Sequence, residues 1–275
     1  MAQDVQELRG RIIKFAAEHG ADLVGFAPVG RWDEYDEVPA DFRPGNLFPL
    51  ARTVVVIGMG MPLPIVETTP SAMHMELYNT VNRELDGLAY CLTGFLNRSG
   101  WPSMFFPRDG YGSIKILKEK PRAAFSHVEA ARYAGLGTVG LSGVLLTREF
   151  GSRVRLVSVF TSAELPGSPV LSEDICIKCQ ACAKCCPSKA IIPRKDRTRA
   201  DFEAMKCMDW AHELTRRRSY PCGVCTKVCP IGADRELYQA TKSMKKYLHE
   251  AEAMRKDPDD PEYKVWNHFR HWGSW

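Results

Sequence analysis

CIKCQACAKCCPSKAI, residues 176–191, places five cysteines in eleven positions and ends the run on a proline. Four of them, Cys176, Cys179, Cys182 and Cys186, satisfy the spacing C-x2-C-x2-C-x3-C-P, with Pro187 in place. That spacing is the signature of bacterial two-cluster iron–sulfur modules. Three closely spaced thiolates wrap one cluster, and the cysteine before the proline is led away to the other. Cys185 is one residue out of register. A crossing of this kind demands a second set, and PCGVCTKVCP (221–230) supplies Cys222, Cys225 and Cys229, again closed by a proline. Seven ligands are then accounted for and eight are needed. The candidates for the eighth are Cys185 and Cys207; Cys207, alone on its own segment, is the choice. The expected wiring is Cys176, Cys179, Cys182 and Cys229 on one [4Fe–4S] cluster, and Cys186, Cys207, Cys222 and Cys225 on the other. Zinc is the competing reading of paired C-x2-C motifs. It gives no reason for the trailing prolines.

The rest of the chain sets the context. It has 275 residues and ten cysteines, nine of them between Cys176 and Cys229. A disulfide framework would spread its crosslinks, so the clustering favours metal. The remaining Cys91 reads as a packed thiol in a helix. Net charge is +4, too mild to argue for nucleic acid. The longest apolar run, 54–66, is broken by proline and glycine and is too short to span a membrane. MAQDVQELRG at the N-terminus lacks a secretory pattern, so the expectation is a cytoplasmic protein.

Before the cysteines, apolar periodicity predicts a helix over 4–19, a buried strand over 22–28, an irregular covering loop over 29–50 and a central strand over 53–59. A long helix follows over 71–98, with Ser71 as N-cap and Leu85, Leu88 and Leu92 on its apolar stripe. The segment 127–147 reads as helix, glycine-rich turn and strand, and 153–165 as a further strand. The first part of the chain is therefore a mixed α+β or α/β unit around one sheet. The tail, ending VWNHFRHWGSW, reads as charged helix followed by aromatics that pack over the cysteine module.

AGLGTVGLSGVLLTREFGSRVRLVSVFTSAEL (134–165), together with the two cysteine runs and the isolated Cys207, resembles the epoxyqueuosine reductase and reductive dehalogenase superfamily. GADLVGFAPV (20–29), RTVVVIGMGMP (52–62) and YNTVNRELDGLAYCLTGFL (78–96) carry the same resemblance. It implies an α+β chain: a nitroreductase-like α/β cobalamin-binding domain over 1–168, a ferredoxin-like module with two [4Fe–4S] clusters over 169–240, and a C-terminal helical tail over 241–275. It implies an oxidoreductase that passes electrons through both clusters to cobalamin and a small organic substrate. Ser126, His127, Gly135, Gly137, Gly140, Ser142 and Gly143 become corrinoid-site candidates, since backbone without side chains can lie close to a macrocycle. Tyr111, beside Arg108 or Lys115, becomes the candidate proton donor, a phenol next to a cation; Asp109 is a further pocket candidate.

Epoxyqueuosine reductases carry an acidic proton donor where this chain has PRAA (121–124), and a C-terminal tRNA-holding extension that is not seen after the cysteines. Both argue against a tRNA substrate. Respiratory dehalogenases carry a twin-arginine export signal, and no such pair opens this sequence. Basic residues near the cysteines, among them Lys178, Lys184, Lys189, Arg216 and Lys227, suit an acidic electron donor such as reduced ferredoxin or flavodoxin. Two alternatives stay open: an electron-transfer protein that reduces a partner's corrinoid or flavin, and a reductase with flavin in place of cobalamin.

Overall fold

A computed structural model describes residues 2–35, 37–108, 113–119 and 122–272. Along the first part of the chain run α1 (Ala2–Glu18), β1 (Leu23–Pro28), α2 (Arg31–Tyr35), α3 (Pro44–Leu47), β2 (Thr53–Gly60), α4 (Leu63–Glu67), α5 (Ala72–Arg98), β3 (Ser103–Phe106), α6 (Ile114–Glu119), α7 (His127–Tyr133), β4 (Thr138–Val139), β5 (Leu145–Leu146) and β6 (Val154–Thr161). The four long strands form one antiparallel sheet in the order β1-β2-β6-β3.

Strand periodicity sorts the side chains of this sheet. Val55, Ile57 and Met59 of β2 and Val157 and Val159 of β6 pack against α1 and α5 through Leu8, Ile12, Leu85, Leu88 and Leu92. The alternate residues, Val54, Val56, Val154, Leu156 and Phe160, face α7 and the 29–50 segment through Trp32, Phe125, Ala130 and Tyr133. Both faces are covered, which is why β2 reads as an almost continuous β-branched run rather than a strict alternation. Each fully buried Leu, Ile or Val contributes about 1.5–3 kcal/mol.

Helix α5 forms where its sequence signals place it. The Ser71 hydroxyl accepts from the His74 amide at 3.1 Å, an N-cap bond. Its stripe of Val81, Leu85, Leu88, Leu92 and Leu96 is buried. Cys91 corrects its sequence reading: it is exposed on this helix rather than packed. The reason is angular, because Leu88 and Leu92 hold the buried face and Cys91 falls between them on the side away from the sheet.

The cysteine-rich part is built from short pieces: α8 (Ala181–Lys184), β7 (Ile191–Ile192), β8 (Asp201–Phe202), α9 (Ala204–Arg216), α10 (Val224–Lys227) and α11 (Asp234–Leu237), followed by α12 (Met244–Lys256) and α13 (Lys264–Trp272). Arg153, fully buried at the start of the β6 segment, locks it to the sheet. Its guanidinium donates to Asp234 through Nε at 2.7 Å and Nη2 at 2.6 Å, to the Ile231 carbonyl at 2.7 Å and to the Cys229 carbonyl at 3.1 Å.

The last two helices close over α8 and α10 through Tyr247, Tyr263 and Trp266. They also reach back to the loop before α5. Arg270 donates through Nε to the Thr68 carbonyl at 3.0 Å, and Tyr247 donates to Glu67. Glu250 pairs with Arg270 at 2.6 Å and with the buried Lys227, whose ammonium lies 4.2 Å from the Trp266 ring centroid. Of the other tail aromatics, Trp272 is exposed and Trp275 lies outside the described residues.

Candidate redox site

The cysteines gather in two groups. Cys176, Cys179, Cys182 and Cys229 line one small cavity beneath the β4–β5 hairpin, together with Gly140 and Ser142. The local backbone explains how three of them converge: Lys178 and Gln180 both adopt left-handed conformations, folding the run around a point before α8 begins. Burial pushes the Cys182 thiol up to about 12, with Cys229, Cys179 and Cys176 adding to the effect. The second group is Cys186, Cys207, Cys222 and Cys225. Burial raises Cys207 to about 11, followed by the influence of Cys222 and Cys186. Cys225 is raised by burial first and then by Cys222, Cys207, Cys182 and Cys186, so the two groups approach each other at Cys182 and Cys225.

Thiols whose ionisation is opposed by burial and by one another resist losing their protons unless something cationic and sulfur-loving neutralises them. The all-sulfur donor sets therefore fit iron–sulfur centres. Among the described residues no three His, Cys, Asp or Glu side chains converge on a point that one metal ion could occupy. A tetrahedral zinc with Zn–S bonds of about 2.3 Å would need such convergence. The cysteines of the first group line a small cavity instead. Cys185 belongs to neither group: burial is the main cause of its raised thiol, and its charged neighbours are Glu250, Lys227 and Lys184.

A second, larger cavity of about 850 Å³ lies between the sheet and the cysteine-rich part. Its wall on the sheet side carries His74 and Tyr78 from α5, Arg155 from β6, and Ser126 and His127 at the start of α7; Cys225 and Gly223 form part of the opposite wall. One cysteine group thus borders the cavity directly.

The polar groups on this wall are organised. Arg155 donates through Nη2 to the Tyr78 hydroxyl at 3.0 Å and through Nε to Asn82 Oδ1 at 3.0 Å, and its guanidinium lies 4.4 Å from the Tyr78 ring centroid. His127 is held by Ser158 Oγ at 2.9 Å and the Pro107 carbonyl at 3.0 Å. His74 is buried, and burial pushes its imidazole down to about 4; the Pro221 backbone opposes this, while Arg155 and Lys227 reinforce it. It is therefore neutral at pH 7.

The structure separates the residues that sequence reading grouped as corrinoid contacts. Ser126, His127 and Gly143 line the large cavity. Gly143 has a left-handed φ of 77°, and a Cβ there would meet open space. Gly140 and Ser142 line the first cysteine cavity instead. Gly135 and Gly137 line neither; a Cβ would lie 2.0 Å from the Pro169 carbonyl oxygen at the first and 2.1 Å from that of Leu146 at the second, so their lack of a side chain serves backbone packing. Arg108 lines the cavity and is paired with Asp86 at 2.8 Å. Lys115 is exposed on α6, whose neighbour Lys118 binds Asp209 at 2.6 Å, and it does not border the cavity. Tyr111 and Asp109 lie outside the described residues. Sequence reading missed Tyr78, His74 and Arg155. The signal was present only in part: Tyr78 opens the YNTVNRELDGLAYCLTGFL segment.

No family model matches the chain. Relatives are found among characterised enzymes. The chain is 30% identical over 250 residues to the tetrachloroethene reductive dehalogenase of Sulfurospirillum multivorans, covering 80% of this chain and 49% of that protein. It is 21% identical over 265 residues to the epoxyqueuosine reductase of Bacillus subtilis, covering 86% and 66%. The chain thus spans about half the length of the dehalogenase. Among solved structures, a reductive dehalogenase discussed in terms of B12-dependent dehalogenation superposes with a TM-score of 0.58 at 18% identity, over 88% of this chain and 36% of that one. The Bacillus subtilis epoxyqueuosine reductase gives a TM-score of 0.54 at 18% identity, over 87% and 67%. At that identity the superpositions establish a shared fold. The sequence relatives are oxidoreductases.

Proposed function

We propose that this chain, a member of the superfamily that unites reductive dehalogenases with epoxyqueuosine reductases, is the catalytic unit of a corrinoid-dependent reductase acting on a small organic substrate. The observation that carries the reading is one cavity with two kinds of wall. Cys225, a ligand of the second candidate cluster, borders it on one side, and the Tyr78–Arg155 pair borders it on the other.

The two thiolate groups would hold two [4Fe–4S] clusters, each moving one electron at a time. Cys179 of the first group is exposed, whereas Cys225 of the second faces the cavity. Electrons from a soluble donor such as ferredoxin or flavodoxin would enter at the first and leave from the second. Cobalamin bound in the cavity would supply a cobalt centre capable of two-electron reduction of the substrate. The residues that would hold it include Ser126, His127 and Gly143, and the bare backbone at Gly143 leaves room for a close approach.

Tyr78 is the proton source in this reading. A reductive dehalogenation consumes two electrons and one proton, replacing carbon–halogen by carbon–hydrogen and releasing halide. The phenol gives up its proton, and the Arg155 guanidinium already bonded to its oxygen stabilises the phenolate left behind. Asn82 fixes the guanidinium in that position. Tyr78 and Arg155 thus take the roles that sequence reading offered to Tyr111 with Arg108 or Lys115.

Anaerobic reconstitution with iron, sulfide and cobalamin tests the proposal. Cobalamin bands retained through gel filtration, on top of the broad thiolate-to-iron absorption, are expected. Bands from flavin alone would establish a different reductase, and absence of both would leave an electron carrier.

A further inference from the structure

Two side-chain donors stand against the second cysteine group. Trp210 lies on α9 three residues after Cys207, so the two share one helix face. Its indole N–H is buried and completes no hydrogen bond among the described residues. An indole can only donate, and the acceptor within its reach is the Cys222 sulfur: burial raises that thiol, and the Val224 backbone and then the Trp210 indole work against the rise. Ser188 is the other donor, with its hydroxyl 3.5 Å from Cys186 Sγ. A metal-bound cysteine is a thiolate with no proton to give, so in a loaded site the hydroxyl donates. The first group is served differently. Ser152, the side chain that approaches Cys229, donates its single proton to the Thr226 carbonyl at 3.1 Å.

Reduction adds negative charge to a cluster, and added charge is costly where it is buried. Cys179 of the first group is exposed, so water meets that charge there. Cys222 and Cys225 of the second group are deeply buried, and donors must take the place of water. A hydrogen bond strengthens with the negative charge it meets, so each donor favours the reduced cluster and raises its potential. We propose that Trp210 and Ser188, donating to the sulfurs of Cys222 and Cys186, raise the potential of the cavity-side cluster so that it can accept electrons from the first. In that transfer the first cluster gives up one electron, the second gains it, and the soluble donor refills the first. Both residues act through ligand sulfurs and touch no substrate. This rests on the two-cluster reading above.

The test uses the full chain reconstituted anaerobically with iron and sulfide. An iron content of about eight per chain reports on the two-cluster reading by itself. Reductive titration followed by electron paramagnetic resonance then gives the two cluster potentials, and the single cluster left in Cys207→Ser identifies the first. Trp210→Phe keeps an aromatic ring and removes the N–H. It should lower the ratio of reduced to oxidised second cluster about 10-fold, about 59 mV for one electron, and leave the first cluster within about 2-fold. Ser188→Ala should lower the same potential by about 3-fold or more in that ratio. With both clusters bound, the inference is overturned if either variant leaves the second potential within about 2-fold of wild type, or moves both potentials alike. If Trp210→Phe binds less iron than wild type, Ser188→Ala decides by the same criteria.

Discussion

Replacing Arg153 by alanine should uncouple the sheet from the first cysteine group. The guanidinium is fully buried and makes four hydrogen bonds, two of them to Asp234, whose side chain is only 10% exposed. Alanine leaves that carboxylate without its cation and strips a donor from the Cys229 and Ile231 carbonyls. Removing one partner of a buried ion pair costs about 3–5 kcal/mol, a large part of the roughly 5–15 kcal/mol that holds a typical domain. The Cys229 carbonyl loses one of its two donors and keeps only Arg235 Nε at 2.8 Å, so the first cluster should be released before the second. Urea titration of iron-loaded protein, followed by tryptophan fluorescence and by iron release to a chelator, measures both effects. Arg153→Lys should recover only part of the loss, because an ammonium cannot span both carboxylate oxygens and two carbonyls. A cost under about 1 kcal/mol for Arg153→Ala would refute the reasoning, as would earlier loss of the second cluster.

Three further outcomes are expected. Iron content should fall from about eight to about four per chain in Cys207→Ser and stay near eight in Cys185→Ser; iron analysis with electron paramagnetic resonance decides, and the reverse pattern would reassign the eighth ligand. Tyr78→Phe should lower turnover of any accepted substrate by about 10²–10⁴-fold while cobalamin uptake is unchanged; wild-type rates in the variant would remove Tyr78 from the chemistry. The His74 imidazole, held by burial at about 4 against an ordinary 6.5, binds no proton in the folded chain where the unfolded chain binds one. Its contribution to stability is therefore complete above about 6.5 and is lost as pH falls toward 4. His74→Leu should remove about 2 kcal/mol of the stability difference between pH 7 and pH 5, and identical pH slopes in the two proteins would refute this.

Local signals in the sequence carried the secondary structure well. The N-cap at Ser71, the stripe from Val81 to Leu96 and the β-branched run of β2 each specify their element from neighbouring residues alone. The cysteine grouping was legible for a related reason: fixed spacing within each run leaves few ways to surround a cluster. The cavity wall was not. Tyr78 sits beside an apolar stripe, where an aromatic reads as packing, and Arg155 reads as a polar residue on a strand. Only pairing of β6 with β2, and the laying of α5 across that sheet, brings Arg155 to Tyr78 across 77 positions of chain. The glycine-rich segment 134–143 misled in the opposite direction, since composition does not say whether a missing side chain makes way for a ligand or for a carbonyl such as those of Pro169 and Leu146.

The contacts of Arg270 with Thr68, and of Tyr247 with Glu67, have a reach beyond the tail that makes them. The loop they grip leads into Thr69 and His74, so this stretch of the cavity wall is under remote control from helices that never border the cavity. Substitutions in α12 and α13 are accordingly expected to reshape ligand preference, and directed variation of this protein would do well to include residues 244–272 alongside the cavity wall.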